Sequence, residues 1–207
     1  NFRFMRSRQM TVGGLDAKVL RVSFTGDLGY EIYVSEDDQV ALYQALLDAG
    51  QELNVRPVGS RALMSLRLEK GYGSWGREYS PEYWPQEVGL DRLIKLDKEE
   101  EFLGKQAYID LKDRAPREKL VVLSVDTPHN ADPVGGEPIF TKSGEYVGRV
   151  SSGGYSYTTE QGLALGFLKA PYCEPGSEVD VAALGLPHAA RVLGEAPFDP
   201  AGLRLRS

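Results

Sequence analysis

The sequence predicts an α+β unit over residues 1–114 followed by a small all-β barrel over residues 118–207. Three observations carry this. Apolar residues alternate with a period of two on both sides of a glycine-framed turn at residues 25–29, then recur at the three- and four-residue spacing of amphipathic helices. Past Ala115-Pro116-Arg117-Glu118 the helical spacing stops, and this segment is taken as the linker. Beyond it, short alternating runs separated by turn residues are the pattern of a small barrel or sandwich, the barrel being the expectation.

The elements follow in order. Phe2-Arg-Phe-Met5 reads as a strand already under way, so the chain is expected to be a fragment of something longer. Leu20, Val22 and Phe24 on one side of the turn, and Tyr30, Ile32 and Val34 on the other, mark two strands, and Glu31 must project opposite to Tyr30 and Ile32. Ser35 followed by Glu36, Asp37 and Asp38 reads as a helix N-cap with acids at the positive end of the dipole. That helix runs to about Ala49 on a stripe of Val40, Tyr43, Leu46 and Leu47, with Gly50 as its stop. A second helix spans Ser60–Lys70 with Ala62, Leu63 and Leu66 inward and Gly71 at its end. Arg61 falls in its first turn, where a cation opposes the dipole at a cost of about 0.3–1 kcal/mol, so another demand on the guanidinium is expected. Residues 71–91, with Trp75, Tyr79, Tyr83 and Trp84, have the composition of an ordered loop that lines a cavity or fills a core between domains. A short helix follows near Gln106–Asp113. Strands are then expected at 120–125, 138–141, 146–150, 163–168, 178–181 and 189–193.

Composition narrows the function. The net charge of −6 and the lack of a basic run interleaved with aromatics leave no cationic groove for nucleic acid. The single Cys173 excludes an internal disulfide, and His129 and His188 lack metal-ligand spacing. A reducing compartment, with cytoplasm as the default, is expected, and no apolar run approaches the ~20 residues that span a membrane. Read alone, Glu31 is a solvated acid, since most glutamates stay in water.

The order of motifs changes that reading. Arg21-Val-Ser-Phe-Thr-Gly-Asp-Leu-Gly-Tyr-Glu31, Arg61-Ala-Leu-Met-Ser-Leu-Arg-Leu-Glu69, Val88-Gly-Leu-Asp91, Phe102-Leu-Gly-Lys105, Gly148-Arg-Val-Ser-Ser-Gly-Gly-Tyr-Ser156 with Ala164-Leu-Gly166, and Arg191-Val192 near Pro197-Phe198 resemble the folate-dependent aminomethyltransferase family, typified by the T-protein of the glycine cleavage system. Lys70-Gly-Tyr-Gly-Ser-Trp-Gly-Arg-Glu-Tyr-Ser-Pro-Glu-Tyr83 looks most like the carboxy-terminal folate module of the dimethylglycine and sarcosine dehydrogenases. The resemblance implies the second half of a folate-binding domain, a ferredoxin-like α/β sandwich, ahead of the barrel. It implies tetrahydrofolate as cofactor, with FAD only in a longer parent, and a one-carbon unit delivered from a demethylated amine of the dimethylglycine or sarcosine type.

By the same resemblance Glu31 and Arg61 are folate contacts, and the chemistry agrees, because a carboxylate can accept paired N–H donors from one pterin edge. Phe24, where relatives often carry tyrosine, and Tyr30, Trp75 and Tyr83 are further pocket candidates, with Arg204 behind them. The family's key aspartate lies in the earlier half of the folate domain, so no catalytic residue is assigned. Residues 1–207 alone are expected to lack turnover and to need that earlier half as their partner. The alternatives are a stand-alone T-protein or folate-dependent demethylase, or a non-catalytic folate-binding or docking module. The repair-type relatives carry a Lys-Gly-Cys-Tyr motif, whereas this chain has Lys70-Gly-Tyr-Gly73.

Overall fold

In the computed structural model, which describes residues 2–128 and 131–207, the first sheet is built on a glycine hairpin. His129 lies outside the described residues. Strand β1 (Arg6–Val12) pairs antiparallel with β2 (Leu15–Arg21), Val12 opposite Leu15. The intervening Gly13 and Gly14 have φ of 57° and 84°. A two-residue hairpin of this hand needs positive φ at both positions, which glycine adopts without steric strain. Strand β3 (Glu31–Tyr33) joins the other edge of β2, giving the order β1-β2-β3.

This sheet corrects three expectations. Residues 2–5 precede the first strand rather than form it, and Val22 and Phe24 belong to the loop between β2 and β3. The face assignment also shifts. Leu20 sits opposite Glu31 and Val19 opposite Ile32, so Leu20 shares the carboxylate's face, while Ala17, Val19 and Arg21 are the buried residues of β2. Cross-strand register decides the face, and a slip of one residue reverses it.

Helix α1 (Gln39–Gly50) begins one turn later than expected, after a 3₁₀ turn at Glu36–Asp38. The Ser35 hydroxyl donates to the Asp38 carboxylate at 2.7 Å instead of capping a backbone N–H. Leu42 is the buried anchor of α1, whereas Val40, Tyr43 and Leu46 are exposed. The α-helix ends at Gly50 as expected, but the helical winding continues. A short 3₁₀ turn follows and Asn54, at φ 56°, ends it, while Gly50 is needed because a Cβ there would stand 2.4 Å from a Val55 methyl.

Helix α2 (Ser60–Glu69) does end at Gly71, whose φ is 68° and whose N–H bonds to the Leu68 carbonyl at 2.9 Å. Its buried residues are Arg67, Leu68 and Glu69, and Leu63 is exposed. The expected inner face is wrong by a rotation because α2 packs on the outside of the barrel, against strand β6. Helix α3 (Lys105–Leu111) lies where its pattern places it.

The second unit is a closed barrel of β4 (Lys119–Val125), β5 (Pro138–Phe140), β6 (Tyr146–Ser156), β7 (Gln161–Leu168), β8 (Glu178–Ala183) and β9 (Leu186–Leu193), in the order β4-β7-β6-β5-β8-β9. The fold is therefore α+β followed by an all-β barrel. Leu123, Ile139, Val147, Val150, Val179 and Val181 are among the residues of its core. β7 is buried along both faces, Ala164 and Leu168 inward and Leu163, Leu165 and Phe167 outward. Such a strand reads as a continuous apolar run because something covers its outer face. Here Tyr83, from the aromatic loop, stacks on Phe167 with ring centroids 4.1 Å apart.

Candidate functional site

Polar side chains lock the two units together. Glu78, wholly buried, accepts bonds from Ser152 Oγ at 2.5 Å, Ser151 Oγ at 2.8 Å, the Ser74 N–H at 2.8 Å and Arg67 Nη1 at 3.2 Å. The two serines reach it because β6 shifts register between Val150 and Ser152, and a bulge of this kind re-aims side chains. Burial pushes the Glu78 carboxyl up, but the bonds from Ser152, Ser74 and Ser151 and the Arg67 charge outweigh it, and Glu78 titrates below the ordinary carboxylate range. Glu69, also buried, takes Ser156 Oγ at 2.9 Å and the Thr158 N–H at 3.0 Å. Arg149 holds Glu118 through two bonds of 2.8 and 2.9 Å and donates to the Tyr83 hydroxyl at 2.8 Å.

The carboxy-terminal segment then returns to the first unit. Lys70 Nζ bonds the Asp199 carbonyl, the Phe198 N–H bonds the Glu69 carbonyl at 3.0 Å, and Arg204 Nε meets Asp27 at 2.5 Å. Asp27 belongs to the loop between β2 and β3. In that loop Gly26, at φ 87°, lies so close to Lys70 that a Cβ would approach its side chain to 2.6 Å. The turn that precedes Glu31 is thus pinned by α2 on one side and by the tail on the other.

Within this frame the expected site residues separate into groups. Phe24, half-buried, and Tyr30, exposed and in tilted contact with Phe2 at 5.8 Å, lie on the segment leading to Glu31. Glu31 is exposed on the sheet face away from Val19, and its carboxylate accepts the Tyr33 hydroxyl at 2.6 Å. Arg61 lines a cavity of about 710 Å³ between α2 and the barrel, shared with Ser60, Met64, Asp132, Tyr155 and Tyr157. Among the described residues Arg61 has no hydrogen-bonding or ionic partner. Tyr83 lines a different cavity of about 620 Å³ with Arg77 and Arg149, and Trp75 is 82% exposed on the tip of its turn. Arg204 is engaged by Asp27.

Arg61 and Arg77 lack an ionic partner among the described residues, whereas four other cations at the junction are paired. Arg67 pairs with Glu78, Lys70 with Asp199, Arg117 with Glu87 and Arg149 with Glu118. A guanidinium left open over a concave, mainly apolar surface suits an anionic or carbonyl group of a ligand. Glu31 offers the complementary feature, an acid with no cationic partner among the described residues and spare acceptor capacity. Sequence reasoning missed Tyr33 and the acids Glu69 and Glu78. Tyr33 could have been found from its position two residues beyond Glu31 on one strand, which places both side chains on one face. The acids could not, because their partners on the barrel lie 73 to 89 residues away.

A sheet-and-helix unit locked to a small closed barrel, with an open arginine lining a cavity between α2 and the barrel and an open acid on the sheet, defines the class as a two-unit protein of an α+β part and an all-β barrel. The comparisons give it a family. Residues 1–98 match the GCVT N-terminal domain, and residues 118–199 match the glycine cleavage T-protein C-terminal barrel domain. The chain belongs to the glycine cleavage T-protein family. It is 37% identical over 194 residues to the mitochondrial dimethylglycine dehydrogenase of Homo sapiens, covering 94% of this chain and 22% of that protein. It is 37% identical over 196 residues to an aminomethyltransferase of Symbiobacterium thermophilum, covering 94% of this chain and 51% of the relative. The crystal structure of the glycine cleavage system aminomethyltransferase T from Bartonella henselae superposes with a TM-score of 0.83 at 25% identity, over 96% of this chain and 53% of that one. The chain therefore spans between about a fifth and a half of the length of these relatives. No helix among the described residues is long and apolar enough to cross a membrane.

Proposed function

We propose that this chain provides the folate-recognising half of a tetrahydrofolate-dependent one-carbon transfer module, acting on a methylamine-derived substrate of the dimethylglycine or sarcosine type. The observation that carries it is the pair of open, opposite charges, Glu31 and Arg61, while Arg67 and Lys70 at the other end of α2 are neutralised by Glu78 and Asp199. They suit a ligand with a donor-rich ring and an anionic tail, the chemistry of a reduced folate. Tetrahydrofolate, when bound, supplies the nitrogens that accept the one-carbon unit.

The residues of this chain bind and orient. Glu31 accepts paired N–H donors, Arg61 holds a carboxylate or carbonyl, and the wall formed by Met64, Tyr155 and Tyr157 excludes water from the cavity. Phe24 and Tyr30, on the strand approach to Glu31, are the aromatic flank of the site in this reading. Flavin chemistry, as in the dehydrogenase relatives, falls to residues outside these 207. So does the covering of the exposed apolar residues Val40, Tyr43 and Leu46, for which the remaining length of the relatives leaves ample chain. A compartment that keeps Cys173 reduced is expected, and a mitochondrial one meets that condition as well as the cytoplasm does.

Calorimetric titration of tetrahydrofolate into the full-length natural protein tests the proposal. Glu31→Ala and Arg61→Ala should each weaken binding about 10-fold to 100-fold, the ~1.5–3 kcal/mol range of a hydrogen bond to a charged group. Wild-type affinity in both variants would remove folate recognition from this chain.

A further inference from the structure

We infer that Tyr33 is the positioning residue of the folate site: its hydroxyl fixes one oxygen of the Glu31 carboxylate so that the remaining acceptor positions face the ligand as a prearranged pair. The inference rests on the reading of Glu31 given above and extends it to a residue that acts through Glu31.

Three features support it. First, Glu31 and Tyr33 are alternate residues of β3, so both project from one face, and the Tyr33 Oη–H returns along the strand to donate to Glu31 Oε2 at 2.6 Å. Second, the bond has the short length of an O–H donor meeting a charged acceptor. A carboxylate has about four acceptor positions, and Tyr33 occupies one, leaving Oε1 and the rest of Oε2 for two parallel N–H donors. Third, Tyr33 is not a core residue. It is 53% exposed, and across the strand it faces Lys18, while Leu20 flanks Glu31.

An unrestrained glutamate on an open sheet face samples many rotamers, and ordering it on ligand binding weakens the complex. A tyrosine two residues away removes that cost in advance. The same bond raises the Tyr33 phenol above its ordinary range, so the hydroxyl stays protonated and remains a donor throughout the neutral pH range.

A double-mutant cycle in the full-length protein tests this, with the tetrahydrofolate dissociation constant measured for wild type, Y33F, E31Q and the double variant. Y33F should weaken binding about 5-fold to 10-fold, in line with one net hydrogen bond. The double variant should bind no more weakly than E31Q alone, because Tyr33 acts through Glu31. The melting temperature of Y33F should equal that of wild type, since the phenyl ring is retained and the site is exposed. Additive losses in the double variant, or wild-type affinity in Y33F while E31Q is impaired, would overturn the inference and leave folate recognition by Glu31 intact. Wild-type affinity in E31Q would overturn the underlying reading and this inference with it.

Discussion

Replacing Glu78 by alanine should cost the protein about as much stability as any single change at the junction. The carboxylate is wholly buried, as is its partner Arg67 at 1% exposure, and the pair spans 3.2 Å. Truncation strands the guanidinium, the Ser74 N–H and the Ser152 hydroxyl. Arg67 keeps its bond to the Tyr72 carbonyl and Ser151 keeps one to the Leu165 carbonyl, which softens the loss. Removing one member of a buried pair costs about 3–5 kcal/mol. For a unit of this size each kcal/mol lowers the melting temperature by roughly 2–4 °C, so Glu78→Ala should melt on the order of 10 °C below wild type.

The pH dependence has a definite sign. The folded value of Glu78 lies below its ordinary 4.5, so its contribution is complete above that value and is lost as the pH falls through the folded pKa. Glu78→Gln has no such acid limb. The gap between wild type and Glu78→Gln should therefore be widest at neutral pH and should close in acid. Differential scanning calorimetry at neutral and acidic pH measures both effects. A melting temperature for Glu78→Ala within about 2 °C of wild type, less than ~1 kcal/mol can account for, would refute the account of the junction.

Further outcomes follow from the same geometry. Gly148→Ala should destabilise the barrel by more than ~1–3 kcal/mol, because the new Cβ would lie 2.0 Å from the Phe167 carbonyl oxygen across β6 and β7; urea unfolding reads this directly. Asp27→Asn should change stability by only about 0–1 kcal/mol, and less in high salt, since the Arg204–Asp27 pair is largely exposed; melting curves at two ionic strengths check it. Arg149→Ala loses its two bonds to Glu118 and the Tyr83 contact that stacks on Phe167. It should loosen the junction, seen as faster amide exchange in residues 78–88 with the barrel strands still protected.

Much of the fold is legible in the order of amino acids alone. The barrel strands carry period-two patterns between turn residues, and Gly71 ends α2 because a positive φ is needed there. The glycine-bounded loop before Glu31 is equally plain. What misleads is the choice of face. Leu63 looks inward by spacing yet is exposed, and the charged Arg67, one turn further on, is buried. Both follow from α2 packing on a polar strip of β6 instead of an apolar sheet.

The same division holds for the site. Glu31 and Arg61 are marked by residue type and by local setting, a lone acid after a turn and a cation at the wrong end of a helix dipole. Alternation, turn chemistry and end effects act between neighbours within a few residues, so they are written into the chain itself. Whether Arg61 finds an acid, which oxygen of Glu31 is held by Tyr33, and which serines reach Glu78 depend on register, bulge and docking. Those arise when elements 73 or more residues apart share buried polar groups that must all be satisfied at once.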